Sequence, residues 1–446
     1  LLKKLYPILE KKLAGLGVKD FEVFYQKKIQ RSFIAKDASL ESAEESVQSG
    51  VALRLFKDHR TSFAYSTELS EGGLQGLCES AVAILPLIDP DEDYQLPKAS
   101  SPSGEVDLKD FDPALNGLSP QKKLAVALTL EKSAQAVDPR VKHVRSAGYD
   151  EEIAETALMN SAGLSRSHRK TGCSVGVMAV AEEGEAAEGG YEFDFSPYFD
   201  ALDPERVGRA AGELAVGYLG AQTPRTGRYP VILDPLVAGE FLQALSRSFQ
   251  GDAVYKKSSF LAGKLGHQVY GDPITIVDDR SLPGGWESGP FDGEGQPSRC
   301  LTLVEHGRLQ AYLLDGYYGR KLGTGGNASS VRQGIKQPPA ISHSNLILKA
   351  GDLSDDEIFR QADRGILVTE VIGMHATDRI TGDFSVGAQG FLIERGAKAA
   401  PVKKIAIAGN LHQIMKEIRW VGSRYRFYFN IGAPTLGFAE MAVSGA

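Results

Sequence analysis

The chain has 446 residues, 42% hydrophobic and 24% charged, so it can bury more than one core and is too mixed in composition for a disordered, collagenous or coiled-coil protein. Its 50 Lys and Arg against 57 Asp and Glu leave a net charge of -7 with no block of like charges, which argues against a nucleic-acid surface. The 3 cysteines, Cys78, Cys173 and Cys300, lie far apart, so no disulfide framework or CxxC motif forms locally, and a reducing cytoplasm is the expected setting.

Leu2, Leu5, Leu9 and Leu13 recur at helical spacing, with Pro7 expected to disturb the first turn. The segment from Leu1 to Gly17 carries 5 charged side chains and a proline, so neither a signal peptide nor a membrane span is expected. Phe21, Val23 and Tyr25 alternate as in a half-buried strand, and a second β stretch runs from Val51 to Tyr65. A helix with Leu74, Leu77, Ala81 and Leu85 on one face follows, ended by Pro86. Residues 89–113 are acidic and rich in Pro and Ser, without periodicity, which predicts a linker or long loop.

Ser119-Pro120 opens the next helix, an N-cap followed by the position that tolerates a missing N–H, with Leu124, Leu128 and Ala134 facing inward. From His143 to Tyr191 the earlier plan recurs loosely, Ser174 to Ala181 matching Gly50 to Phe56, as in an internal duplication. Asp203-Pro204 caps a helix carrying Val207, Ala211, Leu214 and Tyr218. Gly220 to Gly227 then breaks the pattern, placing a boundary between a domain at 1–222 and one at 223–446.

The second half reads as strands and tight turns: Leu301–Val304 and Leu309–Leu314 around His306-Gly307, and Gly390–Glu394 before Arg395-Gly396. Two helices interrupt it. Asp234-Pro235 caps one; Ser354 and Glu357 form a capping box on the other, with Gly365 as its stop. The expected class is α+β: an N-terminal layered α/β domain with a loose internal duplication, and a C-terminal domain dominated by curved antiparallel or mixed sheet with a few helices.

Local catalytic signatures are missing. The 8 histidines are dispersed, with no ligand pair one helical turn apart, and there is no GxSxG or SxxK. Gly323 to Ala328 matches GxGxxA formally but follows no plain strand, so a glycine turn with positive φ is the expectation. Asp278, Asp279, Glu287, Asp292 and Glu294 could hold a hard cation; lacking EF-hand spacing, they are expected to form a solvated loop. Trp286 and Phe291 within it are expected to pack rather than to meet a partner.

Several segments together resemble the TldD/PmbA proteins, also called TldD/TldE and "modulator of DNA gyrase". They are Asn160–Gly163, Thr226–Pro235, Pro290–Gly295, Gly325–Ala328, Thr381–Gly387 with Gly390–Glu394, and Ala408–Asn410, in family order. In that family the TldD branch carries HExxxH and works as a zinc-type metallopeptidase on unfolded peptides, whereas the PmbA (TldE) branch lacks the ligands. Counted back from Gly251-Asp252, the motif falls on Leu242, Gln243 and Arg247, none of which does metal chemistry; Glu240 is the glutamate nearby, and Asn430 to Gly437 offers no cysteine. The chain thus looks like the PmbA branch.

The resemblance implies no catalytic residue and no cofactor in this chain. It implies a heterodimer with a TldD-type paralogue that holds the metal, and unfolded peptides as substrates (microcin-type peptides and antitoxins in relatives); a pseudo-symmetric interface between paralogues is also one that self-association into a homodimer can borrow. A peptide added to a sheet edge would bind through its main chain, with Asn327, Asp383, Phe384, Ser385 and Gly387 as candidates beside that groove. Two other readings stay open: a binding protein that modulates gyrase or another target, and an autonomous hydrolase whose site is assembled from distant residues.

Overall fold

The computed structural model describes residues 1–98 and 107–446. Its first half is one unit used twice. Helix α1 (Leu2–Gly15), strands β1 (Asp20–Lys36), β2 (Ser39–Lys57) and β3 (Arg60–Ser66), and helix α2 (Glu71–Ile84) are followed by α3 (Pro120–Gln135), β4 (Val141–Asn160), β5 (Ser165–Glu183), β6 (Ala186–Ser196) and α4 (Pro204–Gly217). The strands form one antiparallel sheet of order β3-β2-β1-β4-β5-β6, so the two copies meet where β1 pairs with β4, Glu22 opposite Asn160 through Ala35 opposite Ala147. Odd-numbered residues of the central strands, such as Val23, Phe33, Tyr149 and Val175, face the helices and form the two cores beneath them. Even-numbered residues face the other way, because side chains alternate along a strand. That second face carries the groove.

Several local expectations need correction. Pro7 leaves α1 continuous: it removes one N–H from a helix whose Leu2, Leu5, Leu9 and Leu13 are all buried, and their burial outweighs one lost bond. Val51 to Tyr65 is a hairpin rather than one strand, reversed at Asp58 and His59, both left-handed (φ 52 and 58). The inner face of α3 carries Lys123, Ala127, Leu130, Glu131 and Ala134, with Leu124 and Leu128 only half-buried. Lys123 goes inward because its ammonium meets the fully buried Glu151 at 2.7 Å, which also accepts from Tyr149 Oη. Of the expected linker, residues 99–106 lie outside the described residues. Its start is docked, not free: Asp91 and Asp93 hold Lys321 at 2.7 and 3.0 Å.

The second half comprises β7 (Gly227–Leu233), α5 (Pro235–Leu245), α6 (Gly251–Tyr255), β8 (Ile276–Asp279), β9 (Cys300–Glu305), β10 (Arg308–Leu309), α7 (Gly316–Lys321), β11 (Ser330–Val331), β12 (Ala340–Ile341) and β13 (Leu346–Leu348). It continues through α8 (Asp355–Ala362), β14 (Arg364–Ile372), β15 (Asp383–Glu394), β16 (Ala397–Asn410), α9 (Leu411–Lys416), β17 (Ile418–Tyr428) and β18 (Ile431–Ser444). Strand β18 is the hub, pairing with β13, β16, β17 and β7. Because β7 also pairs with β14, strands β18-β16-β15-β14-β7 close into a ring around α5 and the largest core. The architecture is therefore α+β.

Two ends differ from expectation. The strand after His306-Gly307 is only Arg308–Leu309. Helix α8 stops at Ala362 with Asp363 at positive φ (55°), so Asp363 rather than Gly365 turns the chain, and Gly365 lies in β14 against the Pro230 carbonyl. The Ser354–Glu357 capping box is present.

The halves are joined by a buried charge network. Glu22 of β1 binds Arg54 of β2 at 3.1 Å and also Arg332, while Arg54 reaches Glu294 at 3.4 Å.

Candidate functional site

Helix α5 is set by its cap: Asp234 Oδ1 accepts from Leu236 N at 3.1 Å and Oδ2 accepts from Arg424 at 2.7 Å. Phe241, Leu242, Leu245 and Phe249 are all 1% exposed or less, and Phe241 packs edge-on against Phe384 with centroids 5.1 Å apart. Leu242 thus points into the core. Gln243 is exposed toward a cleft, and Arg247 is committed to Asp252 through two bonds of 2.7 and 2.6 Å. A leucine, an amide and an ion-paired guanidinium do not form a donor set for zinc. Among the described residues, no three His, Cys, Asp or Glu side chains converge as a metal site.

Two clefts meet beside α5. The first, about 450 Å³, has the even-numbered face of β1, β4 and β5 as its floor (Gln26, Lys28, Ala154, Thr156, His168, Lys170) and residues 287–293 and 331–333 as its wall. Its outer polar groups are paired: Lys28 with Glu152 at 2.9 Å, Lys170 with Glu287 at 3.6 Å, and the His168 ring with Asp110 at 2.8 Å. At its base Arg280, 8% exposed, donates to Ser330 O at 3.2 Å and keeps its Nε without a partner.

The second cleft, about 690 Å³, lies between α5 and the β17–β18 turn, closed by the loop carrying Met374, His375, Thr377 and Arg379. Both clefts are lined by Gln243, Ser342, His343 and Asn430. His343 is 7% exposed, with Nδ1 3.3 Å from both Ser344 O and Asn430 Nδ2. The turn itself is strained, since Phe429 is left-handed at φ 49, a conformation costly for a bulky residue. Glu240 lines this cleft and is exposed as a residue; partial burial of its carboxyl and then the nearby Glu370 push it up to about 7.

The five residues expected beside the groove line neither cleft. Asn327 ties a turn together, donating to Tyr312 O at 2.7 Å and accepting from Leu314 N at 2.9 Å. Phe384 is core. Ser385 and Gly387 lie along β15, with Gly387 opposite Ile372. Asp383 accepts from Asn410 and Thr381 and so braces the stem of the 374–380 loop. That family motif therefore holds a cleft wall without lining it.

The acidic cluster is not a solvated loop. Asp278, Asp292 and Glu294 are 4, 3 and 7% exposed. Asp278 accepts from Ser344 N and Oγ at 2.6 and 2.9 Å, and Asp292 accepts from the amides of Glu294, Gln296 and Ser330. Burial, together with Glu294, raises the Asp292 carboxyl. Trp286 packs on Phe195 and Phe429 and lies over Gly172, where a Cβ would stand 2.7 Å from the indole. Phe291 lines the first cleft. The Gly323–Ala328 segment follows α7 and has Gly323, Gly325 and Ala328 at positive φ, a turn as expected. Sequence reasoning missed His343, Arg280 and Arg379, for which no local pattern existed.

Three family models match: PmbA/TldA metallopeptidase domain 1 over residues 21–85, the central domain over 113–219, and the C-terminal domain over 226–445. A metalloprotease PmbA homolog from Haemophilus influenzae is 30% identical over 93% of this chain and 90% of its own length, and metalloprotease PmbA from Escherichia coli O157:H7 is 28% identical over 95% and 92%. A metalloprotease TldD homolog from Haemophilus influenzae is 25% identical over 92% and 87%. Among solved structures, TldE from Thermococcus kodakarensis superimposes with a TM-score of 0.89 at 22% identity over all of both chains. A protein from Thermotoga maritima MSB8 described as a modulator of a DNA gyrase gives 0.91 at 24%, again over all of both. Among the described residues no helix is long and apolar enough to cross a membrane.

Proposed function

The chain belongs to the PmbA/TldD metallopeptidase family, and from that premise we propose that it is a metal-free subunit that binds unfolded peptide and completes the groove of a TldD-type catalytic paralogue. The observation that carries the reading is the orientation of α5. The residue at the first motif histidine, Leu242, is buried in the core, Gln243 opens onto both clefts, and the one at the second histidine, Arg247, just beyond the helix, lines the second cleft but is spent on Asp252. This helix supports the fold and a groove wall without ligating metal. Hydrolysis then resides in the partner, with the cytoplasm as the working compartment.

The clefts suit an extended chain better than a compact small molecule. They adjoin at Gln243, His343 and Asn430, and the first runs along a sheet face carrying amide and hydroxyl side chains, Gln26 and Thr156 among them. Groups that hydrogen-bond to a main chain accept many sequences alike. The test is size-exclusion chromatography of this chain mixed with the TldD-type paralogue from the same genome. Co-elution as a heterodimer with peptidase activity above that of either chain is expected; separate elution with unchanged activity rejects the reading.

A further inference from the structure

The second cleft differs from the first in chemistry. Its walls are apolar at Ala244, Met374, Phe429 and Ile431. At its loop side Arg379 and His375 are exposed and form no ion pair or hydrogen bond within the described residues. Arg247, the other cation on the wall, is already neutralised by Asp252. Thr377 is 6% exposed and its Oγ1 is buried without a partner. An unsatisfied buried hydroxyl is costly unless a partner reaches it, and Arg379 lines the same cleft. Among the described residues the one carboxyl lining this cleft, Glu240, is pushed up to about 7 and so opposes an incoming anion weakly.

We propose that this cleft takes the carboxyl-terminal residue of the bound peptide, an apolar side chain resting on Met374, Phe429 and Ile431 and the terminal carboxylate meeting Arg379, His375 and Thr377. The charge is complementary, and guanidinium is the cation best matched to a planar carboxylate. The rest of the peptide leaves past Gln243, His343 and Asn430 into the first cleft, which fixes the direction of threading. This rests on the peptide-groove reading above and adds to it a polarity and a terminal specificity.

The experiment measures binding to the purified full chain of a fluorescein-labelled Gly/Ser hexapeptide ending in leucine, by fluorescence polarisation. The free acid is expected to bind at least tenfold tighter than its C-terminal amide, and tighter than the free acid ending in glycine. Arg379→Gln, at an exposed and unpaired position, is expected to abolish the acid-over-amide preference while leaving the circular dichroism spectrum unchanged. Should that variant misfold, His375→Gln reads the same preference. A peptide amide with glutamate last separates a side-chain carboxylate from the terminal one; binding as tight as the free acid overturns the assignment. Equal binding of acid and amide also overturns it, leaving the peptide groove intact, whereas no binding of any peptide rejects both.

Discussion

Glu22 on β1 and Arg332 just beyond β11 are 310 positions apart in sequence and form an ion pair, 1 and 5% exposed at their side chains, that clamps the two halves together. Arg54 completes the cluster on the other side of Glu22. Burial alone would raise the Glu22 carboxyl, but the two guanidinium groups outweigh it and hold the carboxyl below its usual range. Removing the charge with Glu22→Gln leaves two buried arginines undercompensated, so a loss of about 3 kcal/mol or more is expected. A urea unfolding curve within about 1 kcal/mol of the parent would contradict the clamp.

The same pair sets an acid limit. Because the folded carboxyl is depressed, its contribution is full above the unfolded value, about 4.3, and is lost as pH falls through the folded one. Stability should therefore drop below about pH 4, and Glu22→Gln should flatten that limb. An unchanged acid limb in the variant would assign the drop to other carboxylates.

His412 on α9 predicts a second pH effect. It is 2% exposed, stacked on Phe260 with centroids 3.9 Å apart. Burial, then Lys264 and Lys416, push its pKa down to about 4. A neutral buried histidine contributes stability above its unfolded value of about 6.5, lost as pH falls towards the folded one, about 3 kcal/mol in all. Thermal unfolding between pH 7 and 4 should show that slope, and His412→Gln should remove it. Equal slopes would contradict the burial.

Helix α5 predicts a contrast between adjacent residues. Leu242→His puts an imidazole into the core without a partner and should cost about 2 kcal/mol or more. Gln243→Ala, on the cleft side, should stay within about 0.5 kcal/mol of the parent. Phe249→Ala, fully buried, should cost about 3–5 kcal/mol. Chemical denaturation of the three variants checks this; a tolerated Leu242→His with a costly Gln243→Ala would mean that the helix is turned the other way.

What was legible in the sequence was local. Ser119-Pro120, Asp203-Pro204 and Asp234-Pro235 each cap a helix by bonds spanning two or three residues, and such signals survive without tertiary context. The burial of the acidic loop has no local signature, because what buries it comes from afar: Ser344 lies 66 positions from Asp278. The clefts were invisible for the same reason, since His343, Arg379 and Gln243 come from three separate segments with no shared period. Asp383 shows the middle case: its motif is recognisable, but its job is to hold the 374–380 loop through Asn410 and Thr381, with the chemistry on the loop it braces.

The metal-free reading of α5 is tested most directly by the metal content and peptide hydrolysis of the purified chain alone, after incubation with excess zinc and removal of the unbound ion. Well under one metal per chain and no hydrolysis is the expected result. One tightly held metal per chain, with hydrolysis that a chelator abolishes, would contradict the account.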